Sequence, residues 1–288
     1  MKKHLSTIVL VVILFVGLGV MLYPVISDAW NAHTQSRAVA SYQGAVEAMD
    51  TSQRDQMLAD AEAYNAKLAA DKSIFYNPDA LPEYESLLNV SGTGVIGVIT
   101  IPKVDIELPI YHTTEESVLQ IGVGHLQGSS LPVGGESTHA VLSGHRGLPS
   151  SKLFTDLDKL EEGDIFMITV LDRLLTYQVD QIRIVLPSEV DDLQIVDGED
   201  LCTLFTCTPY GVNSHRMLVR GHRIENEGPL LNVTAEAQRI EPLVVLPAVG
   251  LPLLVLALLV AVWNNHRDRK RRDLLRDVGD TMGLDLRE

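Results

Sequence analysis

The chain has 288 residues, 46% of them hydrophobic and 21% charged, with a formal net charge of −15. It is too apolar for disorder and long enough for a sizeable core. Between the basic ends (Lys2, Lys3 and the tail from His266 to Glu288) lie 14 basic and 32 acidic residues, which excludes a nucleic-acid-binding body, and two cysteines exclude a disulfide-dense scaffold.

After a short basic start (residues 1–4), Leu5 to Val25 runs 21 residues without a charge, enough at about 1.5 Å per residue to cross a hydrocarbon core of roughly 30 Å. The sequence predicts a membrane span over 5–25. A cleaved signal peptide is the competitor, but its apolar run is usually about 7–15 residues, and Ser27-Asp28-Ala29-Trp30 is a poor cleavage site.

Residues 28–72 contain no proline and place Val39, Tyr42, Val46 and Met49 on one helical face. Thr51 reads as the N-cap of a second helix carrying Met57, Tyr64 and Leu68. Residues 73–89, with Pro78 and Pro82, read as a loop.

From residue 90 to about 225 the texture changes to GVIGVITI, DIELPIY, THAVLSG, IFMITV, LLTYQVDQIRIVL, CTLFTC and RMLVRG, short β-rich runs separated by Gly and Pro. A largely antiparallel barrel or sandwich is predicted. After a linker (226–242), a second uncharged run of 21 residues, Leu243 to Trp263, predicts another span despite Pro247, Gly250 and Pro252. The tail 264–288 opens with HRDRKRRD, so by the positive-inside rule both ends are cytoplasmic and the acidic segment lies outside.

Leu201 to Cys207 reads as a buried strand ended by Pro209. Cys202 and Cys207 are five positions apart, which puts them on opposite faces with Cα atoms roughly 16 Å apart. A disulfide needs less than about 7 Å, so both read as free thiols. Cys202 reads as a small buried hydrophobe. Cys207 stands at the strand end beside TPYGVN, and position alone leaves nucleophile and core cysteine equally open.

A thiol nucleophile needs a base or a neighbouring positive charge. His145, in LSGHRG at a strand end, is one candidate, and Arg216, nine residues after Cys207 on the return strand of a hairpin, is another. A guanidinium there suits an oxyanion, although a solvated loop charge explains the spacing as well. His112, His125, His139, His215 and His222 also lie in the β-rich body, and counting does not choose among them. Cys207, His215 and His222 make a poor zinc set, because no CxxC or HExxH pairing accompanies them.

Thr203-Leu204-Phe205-Thr206-Cys207, followed by Thr208-Pro209-Tyr210-Gly211 and Asn213-Ser214-His215-Arg216, resembles the TLxTC…R signature of the sortases in its class C form. Further blocks resembling the same family include Leu108-Pro109-Ile110-Tyr111-His112, Gly124-His125-Leu126 and Thr138 to Pro149, so that the likeness runs roughly from Val90 to Arg223. It implies a mainly β fold: a sortase-like barrel of about eight strands with an N-terminal helical extension and two flanking transmembrane helices.

The resemblance also implies that Cys207 is the nucleophile, His145 the proton shuttle and Arg216 the third catalytic group, with no metal or organic cofactor. The implied activity is a cysteine transpeptidase in the membrane of a Gram-positive cell, with its catalytic domain outside. It would cleave LPxTG-like sorting signals through a thioester and join pilin subunits through an acceptor lysine. Anchoring surface proteins to peptidoglycan and a non-catalytic scaffold that binds sorting signals are the alternatives. Class C enzymes commonly carry a lid anchored by Asp-Pro-aromatic, a triplet absent from Phe75-Tyr76-Asn77-Pro78-Asp79, where Tyr76 or Asp79 is the candidate substitute.

Overall fold

The computed structural model describes residues 2–90, 92–226 and 267; the expected second span (243–263), residues 227–242 of the linker and the tail apart from Arg267 lie outside the described residues. The chain divides into two units, residues 1–25 with 237–288, and residues 26–236.

In the first unit, helix α1 (Lys2–Ala48) begins and leaves Val12, Ile13, Phe15, Val16 and Val20 exposed. It is the one helix among the described residues that is long and apolar enough to cross a membrane. α1 continues without interruption into the second unit, where Val39, Tyr42 and Val46 are buried as their spacing predicts. The Tyr42 hydroxyl donates to Ile96 O (3.1 Å) and accepts the Leu171 N–H (2.8 Å).

Helix α2 (Thr51–Ala70) is capped by Asp50 rather than Thr51. Asp50 keeps extended backbone angles, so its carboxylate reaches back to accept the Gln53 N–H at 2.8 Å, and Thr51 becomes the first helical residue. Buried Asn65 locks α2 down by donating to Leu131 O (2.9 Å) and accepting the Leu131 N–H (2.7 Å).

The segment read as a loop, 73–89, holds three short 3-10 turns, Lys72–Tyr76, Pro78–Ala80 and Tyr84–Ser86. Tyr84 pins its far end in the core, where its hydroxyl donates to His125 Nδ1 (2.8 Å) and accepts the Thr113 N–H (3.1 Å).

Eight strands follow: β1 (Val95–Ile101), β2 (Ile106–His112), β3 (Val123–His125), β4 (Thr138–Ser143), β5 (Ile165–Val170), β6 (Arg173–Val185), β7 (Asp200–Thr208) and β8 (His215–Ile224). They close into a barrel in the order β1-β2-β3-β4-β7-β8-β6-β5. Neighbours run antiparallel except β2 with β3 and β4 with β7. Between β2 and β3 lies one further helical turn, α3 (Glu116–Leu119). β3 was absent from the β-rich runs because three residues, one of them glycine, carry no periodicity. Closure leaves no free sheet edge and fills the interior with Ile96, Ile99, Phe166, Leu204 and Val219.

Candidate active site

Strands β4 and β7 run parallel with Ser143 opposite Phe205. The pairing extends one step past the end of β4, since the Gly144 N–H donates to Phe205 O (3.1 Å) and the Thr206 hydroxyl donates to Gly144 O (2.7 Å). His145 is thereby delivered level with Cys207. A Cβ at Gly144 would stand 2.6 Å from the buried Phe154 ring, so no other residue lets the chain leave β4 along this path. The turn is tied again where the Phe154 N–H donates to His145 O (3.0 Å).

On the other side, the β7–β8 hairpin sets Cys207 directly opposite Arg216. The Arg216 Nη1 donates to Asn213 O (3.2 Å) and His215 O (3.1 Å), and among the described residues no carboxylate pairs with it. Three segments from three parts of the chain therefore converge at one end of the barrel.

The period-two alternation of β7 separates the cysteines. Cys202 is fully buried in the main core with Leu204, and burial pushes its thiol well above the ordinary range. Phe205 faces the outer side, where it joins a second apolar cluster with Val141, Leu218 and Phe75. Cys207 shares that outward face and is partly exposed.

Phe75 lies in the 73–89 segment, and its place in this cluster sets that segment on the outer face of the barrel where β7 carries Phe205. The aromatic ring packed down is Phe75 and not Tyr76, which is 65% exposed and accepts a weak bond from Gln194 Nε2 (3.4 Å). Asp79 is exposed and joins no ion pair among the described residues.

The structure also sorts the histidines. His139 donates from Nδ1 to Gln194 O (2.8 Å) and accepts at Nε2 from the Thr203 hydroxyl (2.7 Å). His125 donates from Nε2 to Ser130 O (2.8 Å) and accepts the Tyr84 hydroxyl. Both use each ring nitrogen as a neutral imidazole must, and burial lowers both to about 4. Burial lowers His112 as well. His222 pairs with Leu201 at the far end of β7 from Cys207, so the zinc trio of Cys207, His215 and His222 cannot converge. That leaves His145, its side chain 24% exposed at the strand end, and His215, which stands opposite Thr208 with Nδ1 2.9 Å from the Ser214 hydroxyl.

The buried histidines make stability pH-dependent. A histidine at about 4 when folded and about 6.5 when unfolded binds its proton first in the unfolded chain. Full stability is therefore present above about pH 6.5 and is lost as pH falls toward 4, together on the order of a few kcal/mol. Denaturant midpoints across that window check this, and His139→Gln should flatten the slope.

One neighbour of His145 was not legible in the sequence. Both carboxylate oxygens of Glu116 lie 3.3 Å from His145 Nε2. The acidic pair Glu115-Glu116 reads as a solvated turn, and nothing in its spacing points 29 residues downstream.

A sortase domain profile matches residues 99–224. Sortase D of Bacillus subtilis (strain 168) is 30% identical over 131 residues, which is 44% of this chain and 63% of that protein, so the chain matches less than two thirds of that relative's length. The crystal structure of sortase C1 from Streptococcus agalactiae is 50% identical, covers 66% of this chain and 100% of its own, and superposes with a TM-score of 0.62. Sortase C of Streptococcus pneumoniae is 43% identical, covers 67% and 100%, and has a TM-score of 0.60. With the closed eight-stranded barrel, these likenesses place the chain in the sortase family of cysteine transpeptidases, with the class C members.

Proposed function

We propose that this protein is a membrane-anchored pilin-polymerising transpeptidase with Cys207 as nucleophile, His145 as proton shuttle and Arg216 as the carbonyl-binding group. The observation that carries the reading is the register: Cys207 faces outward opposite Arg216 on β8, at the level to which β4 delivers His145. The Cys207 thiolate attacks the threonine carbonyl carbon of an LPxTG-like sorting signal. As the Thr–Gly C–N bond breaks, protonated His145 gives its proton to the departing glycine amine, and a thioester remains. Arg216 hydrogen-bonds the oxygen that gains charge. A neutral lysine amine of another pilin then attacks the thioester, His145 takes up the amine proton, an isopeptide bond forms and the Cys207 thiolate is released.

Substrate choice draws on the class C likeness, since the pneumococcal structure concerns pilin substrate specificity in that protein. The segment 73–89 is read as a lid over the site, with Phe75 as its apolar foot on the cluster around Phe205. The apolar start of α1 fits a membrane anchor, with a second span at 243–263 and the barrel outside the cell.

Incubating the enzyme with an LPxTG-like peptide and two competing amines, a pilin domain and a peptidoglycan stem peptide, identifies the acceptor by mass spectrometry of the product. A Thr-to-lysine isopeptide on the pilin is the expected product. Exclusive transfer to the stem peptide would move the protein to cell-wall anchoring, and no acyl transfer at all would leave a binding scaffold.

A further inference from the structure

We propose that Glu116 is a positioning residue for His145, holding the imidazole by Nε2 so that Nδ1 is the nitrogen that exchanges protons with substrate. This rests on the catalytic reading of His145. A carboxylate only accepts hydrogen bonds, so a ring nitrogen facing both Glu116 oxygens at 3.3 Å must carry its hydrogen. The neutral tautomer is then fixed with Nδ1 unprotonated. The logic is that of a carboxylate that orients a catalytic imidazole without itself reacting.

The carboxylate does not simply wave in solvent. Gln120 Nε2 donates to Glu116 Oε1 (2.5 Å), one turn along from α3. The turn that follows is held from below by Gln35 of α1, a buried side chain whose Nε2 lies within 3.1 Å of both Ile121 O and Ser151 Oγ. Ser151 bridges back to Leu148 in the loop that follows His145. A single buried amide thus fixes the segment bearing Glu116 against the segment bearing His145, adding to the β3–β4 pairing that sets Gly124 opposite Ser143.

The charges around the pair point the same way. The Gln120 hydrogen bond, and then the charge of His145, keep the Glu116 carboxyl below the usual carboxylate range. Arg146, the next residue in the chain, is occupied by Asp158 and the Thr208 hydroxyl. Arg216 is turned to the Asn213 and His215 carbonyls. Glu116 is therefore the charged group set against the imidazole, and its exposure limits its weight and makes it sensitive to salt.

The test is steady-state kinetics of the detergent-solubilised full-length chain with an LPxTG-like peptide, at low and high salt. Glu116→Gln should lower kcat by about three- to fivefold at low salt with KM unchanged, as expected for loss of an exposed contact. High salt should shrink the difference from the parent, and Glu116→Asp should recover part of the lost kcat. Parental kcat in Glu116→Gln, or an effect confined to KM, overturns the proposal. His145→Ala separates the two levels: if it retains thioester formation the catalytic reading itself falls, whereas if it is inactive and Glu116→Gln is parental only the present inference falls.

Discussion

Cys207→Ala is expected to yield no acyl adduct after incubation with a sorting-signal peptide, a loss of at least about 10³-fold in turnover, while Cys202→Ala keeps the adduct. The contrast follows from the pleat of β7. Cys202 points into the barrel among Leu204, Ala140 and Tyr177, sealed from substrate and held protonated by burial. Its removal leaves a small cavity that costs about 1 kcal/mol of stability and no chemistry. Cys207 is partly exposed on the other face, at the strand end. Mass spectrometry of the intact protein reads both outcomes. An adduct that survives Cys207→Ala, or that vanishes in Cys202→Ala while the fold is kept, removes the assignment.

The second large effect is expected at Arg216. Arg216→Lys keeps the charge and should still lower kcat/KM on the order of 10²-fold, the scale of one lost oxyanion donor. The reason is planar geometry. Nη1 is already held by the carbonyls of Asn213 and His215, which aims the remaining donors of the guanidinium from a fixed position opposite Cys207. An ammonium on a flexible stem has no such fork and does not hold its donors at fixed angles to the anchoring carbonyls and a substrate oxygen. The substitution lies at the start of β8, outside the core, so melting temperature should barely move. Turnover near the parental level would mean that a point charge suffices at this position.

The sequence by itself determined whatever depends on local pattern. Alternation and β-branched runs marked seven of the eight strands, the three-and-four spacing of Val39, Tyr42 and Val46 marked the buried face of α1, and a spacing of five put Cys202 and Cys207 on opposite faces. These are consequences of backbone period alone, legible within ten residues. The spacing allowed a hairpin to bring Arg216 beside Cys207 without choosing it over a solvated loop charge, and the structure supplies the register that sets the two opposite each other.

The tertiary structure decided what depends on distant partners. Three residues of β3 become a strand through β2 and β4. Three histidines are consumed by the core, and His145 is separated from them by the parallel pairing of strands more than 60 residues apart. Phe75, and not its neighbour Tyr76, faces the outer cluster, and Asp50 takes the cap expected of Thr51. Glu116 meets His145 because β3 pairs with β4 and because Gln35, 86 residues before Ile121 and 116 before Ser151, also ties their segments together. No local period encodes such contacts, since closing long loops is favoured by the burial of the whole barrel and not by any one segment.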